Sequence, residues 1–527
     1  WVYASALMDR SEFLNNPMSR GLTRARLLRD LATIYDLCYN EWTPERRLKT
    51  SEKLIFNIMT TSSNMGYDAN YSLVSNWMGV RYGVVLYASL VCDDFSASQK
   101  VRSRLLPFEW DAAKRLLDHI DVNINSNGWN TESLSYFAFN WSFIGPALVA
   151  YFNRSGSSVI SIEKTIPNAL NALWGYSTSS VSIEGEDGNV MQPDFSDDDP
   201  ESSYLLYPMG LKLYPDTQKP YLLWMLNYFS RQSTWKNDAD QLFMNILWSP
   251  ENLSPLNPEK AGWLTYFDPD QGVALFRNRF RDDEDILAAM TATAKRVKGH
   301  QGFDNLGIRI IGLGSVWAVG AGRTNQIAGQ STLFPYENIS GHKGAGGAVG
   351  KVLDTSFEKD GSGYIKATGS CMGTINHIRT LRVDYSRRSG AEAVIIVSDI
   401  SDNGKIWRMN SPEFNKLKIE TDGFRLISPS GSELKAVVFT DVSKPEVTSE
   451  KVRYGGETTD HNRGIGFHGA KYLYTNAIDC KTDGRITVVF TLQPKGKPHP
   501  AVKLTDEGCI RVGNSIYPDV FPKSHGK

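Results

Sequence analysis

The chain of 527 residues has few cysteines, no long hydrophobic run and no excess of either charge. Its five cysteines are odd in number and far apart, which indicates neither a disulfide framework nor a thiolate zinc site; only Cys480 and Cys509 are considered as a bridged pair. No apolar run reaches the ~20 residues that a membrane-spanning helix needs. With 57 basic and 58 acidic residues, no overall field recruits nucleic acid or an anionic membrane. An anionic ligand would therefore have to be bound by local side chains.

Several functional motifs are also missing. The sequence has no His-Glu-x-x-His, no paired Cys-x-x-Cys and no Gly-x-Ser-x-Gly nucleophile elbow. The glycine-rich stretch at 344–350 does not end in Lys-Ser/Thr, and the acidic pair Asp268 and Asp270 lacks the glycine and glutamate of a calcium-binding loop. We therefore predict no cofactor and no metal. Because the chain starts at Trp1 without a charged and apolar leader, we expect a fragment or a processed form.

The two halves of the chain differ in the spacing of their apolar residues. From about 22 to 229, apolar residues recur at helical spacing in serial blocks, which is typical of an α/α toroid. After about 262, short β-branched runs alternate with turn signals, which indicates antiparallel sandwich sheets. We predict an α+β multidomain chain with an incomplete (α/α) toroid at 1–262 and an antiparallel β-sandwich at 263–527. The acidic stretch at 194–201 is predicted to be an exposed loop.

Two polar motifs stand about fifty residues apart in the helical half. The first, Ser75-Asn76-Trp77, leads into an apolar run, and this pattern predicts that a helix begins there. On spacing alone, Ser75 or Asn76 would simply cap that helix. The second motif, Gly-Trp-Asn-Thr-Glu-Ser-Leu-Ser-Tyr at 128–136, ends in Tyr136.

The third motif lies in the β-rich half and reads His-Gln-Gly-Phe-Asp-Asn from His300. A lone histidine on a turn is most simply a structural side chain, but histidine also titrates near neutral pH and can transfer protons. Together, the three motifs resemble those of the heparinase II/III-like polysaccharide lyases. The resemblance covers roughly residues 31–399.

The motifs match the family with two departures. The family's Gly-Trp/Tyr-x-Glu-Gly-x-x-Tyr is found here with one extra residue before the glutamate and with Ser133 in place of the second glycine. In the family's His-x-His-x-Asp, the first histidine and the aspartate are matched by His300 and Asp304, but Gly302 replaces the second histidine. The family also has an aspartate further along the chain, and the segment 319–322 has glycine there. The missing histidine and aspartate are positions that often bind a structural zinc, so the resemblance here implies no metal.

The resemblance implies β-elimination at a uronic acid of an anionic polysaccharide. This reaction requires a group that neutralises the uronate carboxylate, a base for the C5 proton and an acid for the leaving oxygen. By the match, Asn76 would neutralise the carboxylate, Tyr136 would donate a proton to the leaving oxygen, and His300 would act as base or second neutraliser. The product would be an oligosaccharide with an unsaturated uronate end.

We expect further substrate-binding side chains around these three: Trp77, Arg81, Trp129, Glu132, Tyr204, His377 and Arg379. Aromatic rings can stack on sugar faces, and arginine can bind carboxylate or sulfate with two parallel hydrogen bonds. The structural alternatives are buried aromatics and solvated strand charges. Glu132 would support its loop rather than react, because a free carboxylate repels an anionic substrate.

Three other functions remain open at the level of sequence. A glycoside hydrolase would need two carboxylic groups, for which Glu132 with Asp194 or Asp197 are the candidates. A uronate epimerase would use the same proton abstraction, and the missing zinc ligands also suit a non-catalytic carbohydrate-binding protein. A homodimer is left open. The resemblance implies a periplasmic or secreted location, because family members are commonly exported.

Overall fold

The computed structural model describes residues 1–10, 21–63, 73–95, 99–156, 192–196, 198, 206–229, 247–281, 285–295, 300, 302, 304–322, 327–339, 348–370, 372–442, 445–454 and 474–518. Helices occupy the first part of the chain and strands the second, so the predicted α+β fold class is confirmed. The boundary between the two predicted domains stays a prediction. None of the described helices is both long enough and apolar enough to cross a bilayer.

The helices of the described residues are α1 (Val2–Met8), α2 (Gly21–Cys38), α3 (Pro44–Ser63), α4 (Asn76–Phe95), α5 (Gln99–Asn123), α6 (Leu134–Ser155), α7 (Leu206–Leu213) and α8 (Lys219–Phe229). Helix α4 packs against α5 and α6. Gly83 permits the close approach of α4 to α6, because a Cβ at this position would lie 2.9 Å from the Phe143 backbone carbonyl. The two polar motifs of the helical half lie at the N-terminal ends of α4 and α6.

The strands are β1 (Thr265–Asp268), β2 (Val273–Arg277), β3 (Ile286–Thr291), β4 (Gly307–Gly312), β5 (Ser315–Ala318), β6 (Leu333–Phe334), β7 (Ala348–Phe357), β8 (Gly363–Ser370), β9 (Ile378–Asp384), β10 (Ala393–Ile400), β11 (Ile406–Pro412), β12 (Lys416–Glu420), β13 (Gly423–Ile427), β14 (Glu433–Thr440), β15 (Val447–Arg453), β16 (Tyr474–Lys481), β17 (Arg485–Gln493), β18 (Val502–Leu504), β19 (Ile510–Val512) and β20 (Ser515–Tyr517). They form an antiparallel first sheet β1-β2-β3-β4-β5 and an eight-stranded second sheet β12-β13-β14-β17-β10-β9-β8-β7. A third sheet has the order β15-β16-β11-β6, and a fourth has the order β18-β19-β20.

The first sheet lies between the helices and the second sheet. Leu275 and Leu287 belong to the same hydrophobic cluster as the helices, whereas their neighbours Phe276 and Ala288 pack with the second and third sheets. Successive side chains of a strand point to opposite faces, so a sheet that is covered on both faces needs apolar residues at every position. This explains why the strands β2, β3 and β4 are buried along their whole length.

The fourth sheet covers the outer face of the second sheet. Val394 and Ile396 of β10 pack with Ile510 and Val512 of β19, while Ile395 faces the inner core. The alternation along β10 thus buries both faces of the strand.

The cysteines do not form the bridge considered from the sequence. Cys480 and Cys509 are both free thiols, and so are Cys38 and Cys92. Burial in the core raises the pKa of the Cys480 thiol, which keeps it protonated and unreactive. Cys371 lies outside the described residues.

Candidate active site

Helix α4 begins at Asn76, and its first turn is satisfied without the Asn76 side chain. The Asn76 N–H donates to Glu132 Oε2 at 2.6 Å, and the Trp77 N–H donates to Ser75 Oγ at 3.4 Å. The Asn76 side chain is 1% exposed and lies beside the Glu132 carboxyl group, whose pKa it lowers, although its Nδ2 makes no hydrogen bond of good geometry within the described part of the chain. Helix capping therefore does not account for this side chain.

His119 of α5 positions the turn that precedes α4. Its Nδ1 is hydrogen-bonded to the Leu73 carbonyl oxygen, and Asn140 Nδ2 lies 2.8 Å from His119 Nε2. The carbonyl accepts and the amide NH₂ donates, so this arrangement requires a neutral imidazole with its proton on Nδ1. Burial lowers the pKa of His119 to about 4, because the charged ring would lose its hydration.

Two asparagines connect the same turn to the loop between α5 and α6. Asn123 Nδ2 donates to the Val74 carbonyl at 2.6 Å, and Asn130 Nδ2 donates to Asn123 Oδ1 at 2.5 Å. Asn130 Oδ1 in turn accepts from the Glu132 N–H at 2.8 Å. The start of α4 and the residue Glu132 are therefore held in one buried hydrogen-bond network.

Glu132 joins the helical motifs to the histidine motif. Its side chain is 0% exposed, and its carboxyl group accepts hydrogen bonds from the backbone N–H groups of Asn76 and His300. Burial raises the pKa of Glu132 to about 7; the charge of His300 and hydrogen bonds from Asn76 and His300 oppose that rise. These hydrogen bonds agree with the predicted support of the loop by Glu132, and its contact with substrate stays a prediction.

Tyr136 and His300 stack face to face. Their ring centroids are 3.7 Å apart and the ring planes differ by 12°. Tyr136 is buried and His300 is partly exposed. The separation is smaller than the width of a sugar ring, so the structure brings the phenol, the imidazole and, through Glu132, the Asn76 amide into one region. Their roles in a reaction stay predictions.

Asp194 lies in a buried ion pair and not in an exposed loop, so the prediction for the acidic stretch was wrong for its described residues, 194–196 and 198. Its side chain is 1% exposed, and Arg309 Nε donates to its Oδ1 at 2.6 Å. The Gly320 N–H and the Tyr454 hydroxyl, at 2.8 Å, also donate to this carboxylate. Asp194 is thus bound by protein groups and does not offer the second carboxyl group of a hydrolase, while Asp197, the other candidate, lies outside the described residues.

The residues at the family's zinc position do not fit a metal ion. Gly302 and Gly320 offer no side-chain donor, and a Cβ on Gly320 would lie 2.7 Å from Arg309 Cζ, so the guanidinium fills this space. Asp304 accepts from the Ser196 N–H at 2.8 Å and lies 3.5 Å from Arg309 Nη2. The guanidinium of Arg309 thus lies between the carboxylates of Asp194 and Asp304. A metal ion at this place would need those oxygens free to bind it. In the described residues, no group of three or more His, Cys, Asp or Glu side chains could hold a metal.

Trp129 is a core residue, and its predicted stacking on a sugar is corrected. The ring is buried, with centroids 6.3 Å from Phe195 and 6.2 Å from Tyr266. Because the ring is buried among these aromatic side chains, it offers no open face on which a sugar could stack in this structure. The extra residue before Glu132 has not moved this tryptophan into a cleft.

His377 and Arg379 are also corrected, because both are fully buried and bind Asp399. His377 Nε2 lies 2.6 Å from Asp399 Oδ1, and Arg379 binds both carboxylate oxygens, at 2.7 and 2.9 Å. Arg379 Nη1 also donates to the Leu306 carbonyl at 2.5 Å, just after the histidine motif. The pair supports the loop that carries His300 and is not available to substrate.

Trp77 and Arg81 lie on one face of the first turns of α4. The Arg81 guanidinium is 5.0 Å from the Trp77 ring centroid, which is a cation–π contact. Burial lowers the pKa of Arg81 to about 10, which leaves it charged at neutral pH. Their substrate roles stay predictions, and Tyr204 lies outside the described residues.

Sequence reasoning missed the structural roles of His119, Asn123, Asn130, Asp198 and Arg309. A local pattern was present for the asparagines, because three of them alternate at 123, 125 and 127 just before the Gly-Trp motif. Asparagines at that density suit a loop whose side chains satisfy buried backbone groups. No local pattern pointed to Asp198 or Arg309, whose partners lie far away in the sequence.

No protein-family model matches this sequence, and no curated protein matches it. Among solved structures, a mutant of the heparan sulfate lyase HepC from Pedobacter heparinus is similar with a TM-score of 0.60 and 12% identity, over 96% of this chain and 75% of that one. Two structures of heparinase III, the BT4657 gene product, one with methylated lysines, have TM-scores of 0.58 and 0.55. Their identities are 12% and 13%, over 94% of this chain and 72% and 73% of theirs. The predicted resemblance is therefore confirmed at the level of the fold, which is heparinase-like.

Proposed function

We propose that this protein is a polysaccharide lyase that cleaves a uronic-acid-containing polysaccharide by β-elimination. The observation that supports the proposal is the convergence of three separate motifs: Tyr136 stacks on His300 at 3.7 Å, and the buried carboxyl group of Glu132 bonds to the backbones of His300 and Asn76. The similar solved structures are named as lyases of heparan sulfate and heparin, which agrees with the proposal.

Each of the three side chains has the chemistry that one step requires. The Asn76 amide donates to the uronate carboxylate and offsets the charge that builds there when C5 loses its proton. His300 accepts that proton, and the electron pair forms the C4–C5 double bond as the C4–O bond breaks. Tyr136 gives its proton to the leaving oxygen, since a phenol is ordinarily protonated at neutral pH. These steps use only side chains of this protein.

A substrate must open this region to reach Asn76. The amide is 1% exposed, and the stacked rings of Tyr136 and His300 leave no space for a sugar between them. The proposal therefore requires a uronate to bind beside the stacked rings and the Asn76 amide to become accessible to it.

The test is an absorbance assay with alginate, ulvan, heparan sulfate, hyaluronan and glucuronan as substrates. Elimination creates a conjugated product that absorbs near ~235 nm. Tyr136→Phe should lower kcat by at least ~100-fold, because the acid is lost while the ring is kept. Tyr87→Phe is the matched control: Tyr87 lies near the middle of α4, and its hydroxyl is hydrogen-bonded to Thr33 at 3.1 Å.

The other outcomes would each contradict the proposal in a different way. New reducing ends without absorbance would show a hydrolase. Exchange of deuterium into C5 without cleavage would show an epimerase. Binding without any of these changes would show a carbohydrate-binding protein, and an unchanged kcat in Tyr136→Phe would remove the phenol from the mechanism.

A further inference from the structure

A short acidic segment connects the two halves of the candidate site. We call it the strap and define it as the residues Asp194, Phe195, Ser196 and Asp198. All four are buried, although the strap belongs to the polar stretch between helices α6 and α7. Its first residue contacts the first sheet, and its last residue contacts the start of α6.

At one end, Arg309 of β4 holds the strap against the first sheet. Its Nε donates to Asp194 Oδ1 at 2.6 Å, and its Nη2 donates to the Asp194 carbonyl at 2.8 Å. The guanidinium also lies 4.7 Å from the centroid of the Phe195 ring. A planar group that binds a side chain, a backbone carbonyl and a ring at once fixes the orientation of the strap as well as its position.

In the middle of the strap, Ser196 is bound by the histidine motif. Its N–H donates to Asp304 Oδ2 at 2.8 Å, and Asp304 follows His300 by four residues. Ser196 itself has φ of +65°, a conformation that costs energy for a residue other than glycine. The surrounding contacts therefore determine the path of the chain here.

At the other end, Asp198 caps the helix that carries Tyr136. Its Oδ2 accepts from the Leu134 N–H at 3.1 Å and from Ser133 Oγ at 2.5 Å. A carboxylate at this point satisfies an unpaired N–H of the first turn and interacts favourably with the helix dipole. Tyr136 lies two residues beyond Leu134.

We propose that the strap, with Arg309 as its anchor, is the positioning element that sets the Tyr136 phenol against the His300 imidazole. The strap contacts the His300 loop through Asp304 and the Tyr136 helix through Asp198. The guanidinium of Arg309 supplies the positive charge between Asp194 and Asp304. This inference rests on the proposed lyase function for its kinetic consequence, but its geometric consequence can be measured independently.

The geometric test is the NMR signal of the His300 imidazole in the full-length protein. A ring stacked on a tyrosine at 3.7 Å experiences its ring current, which shifts the imidazole protons upfield. The chain has 8 histidines, so ¹³C labelling of histidine alone gives a simple spectrum in which His300→Gln identifies the signal. Tyr136→Ala gives the chemical shift that the His300 protons have when no tyrosine ring is stacked on them.

The strap is changed by Arg309→Lys and by Asp198→Ala, and the control is Arg277→Lys. Arg277 and Asp285 form another buried pair on the first sheet, at 2.8 Å, and Arg277 also packs on Phe280 and donates to the Arg279 carbonyl. Both strap variants should lose the upfield shift of the His300 signal. On any polymer that the unchanged protein cleaves, their kcat should fall about 100-fold with a much smaller change in KM. A displacement of a reacting group by about 1 Å is enough to reduce kcat by this factor. Arg277→Lys should keep both the shift and kcat.

The outcomes separate this inference from the proposed function. If a folded strap variant keeps the full upfield shift of His300, the strap does not position the rings and the inference is wrong. If the shift is lost in the strap variants while the unchanged protein cleaves no polymer, the inference stands and the lyase proposal fails. Should Arg309→Lys fail to fold, Asp194→Asn, which keeps the shape of the side chain, replaces it in the same comparison.

Discussion

At the scale of single residues, the environment of Glu132 departs strongly from that of an ordinary carboxyl group. It is 0% exposed, and the neighbouring N–H groups of Asn76 and His300 offset only part of the cost of burying its charge. Its pKa of about 7 means that it changes charge near neutral pH. Strongly shifted groups of this kind concentrate at functional sites.

The first prediction concerns the pH dependence of stability through Glu132. Burial raises its pKa from 4.5 to about 7, so between these values the folded protein holds a proton that the unfolded chain has released. The free energy of unfolding therefore falls as the pH rises through this window, by up to about 3 kcal/mol from this group. In Glu132→Gln, which cannot ionise, this contribution is absent.

We expect the stability of Glu132→Gln relative to the unchanged protein to increase by about 3 kcal/mol from about pH 4 to about pH 8. Urea unfolding followed by circular dichroism measures this difference, and Glu358→Gln, at an exposed glutamate, is the control. A relative stability of Glu132→Gln that stays constant over this range would show that Glu132 ionises normally.

At the scale of secondary-structure elements, helix α6 begins in a strained conformation. Ser133 precedes the helix with φ of +82° and ψ of −175°, a region that glycine adopts far more easily. The similar family motif has glycine at this position, and here serine replaces it. Its hydroxyl donates to Asp198 at 2.5 Å, so the strain is accompanied by a hydrogen bond to the strap.

Two substitutions at Ser133 separate the strain from the hydrogen bond. Ser133→Ala loses the bond to Asp198 and keeps the strain, which should reduce the free energy of unfolding by about 2 kcal/mol. Ser133→Gly loses the same bond but relieves the strain, so it should be more stable than Ser133→Ala by about 1 kcal/mol. Urea unfolding of both variants measures the difference in the free energy of unfolding. If Ser133→Ala is as stable as Ser133→Gly or more stable, the backbone at Ser133 is not strained.

The elements that sequence could predict are those whose signals are local. The start of α4 at Asn76 followed from a polar motif before an apolar run, and the proximity of Tyr136 to His300 followed from the resemblance of two short motifs. The strap could not be predicted, because an acidic run in isolation is typical of a solvated loop. Asp194 is bound by Arg309 and Tyr454, which are 115 and 260 residues away, and only the folded chain brings these partners together.

The same limit explains the corrected residues. Trp129 and Arg379 have the side chains that a carbohydrate site would use, and composition cannot distinguish a sugar-facing ring from a buried one. Burial at these positions is decided by Phe195, Tyr266 and Asp399, each at least 20 residues distant in the sequence.

At the scale of the whole molecule, the helices and the first sheet share one hydrophobic core. Leu86 of α4 and Trp141 of α6 belong to the same cluster as Leu275 and Leu287 of the first sheet. Polar contacts reinforce this interface: Asn125 Nδ2, in the loop before α6, donates to Asp268 Oδ1 at 3.0 Å. The two halves predicted from the sequence therefore meet across a continuous apolar interface.

The last prediction follows from this shared core. Removing the first sheet would expose the apolar faces of α4 and α6, so the helices and the strands β2 to β4 should unfold together. Pulse-labelling hydrogen exchange across a urea series, read by mass spectrometry, should give the same midpoint for peptides from α4 and from β3. The fourth sheet serves as an internal comparison, because Ile510 and Val512 belong to a separate cluster on the outer face and can open at lower urea. Distinct midpoints for α4 and β3 would show instead that the helical and β halves are independent folding units, whatever their contacts in the native state.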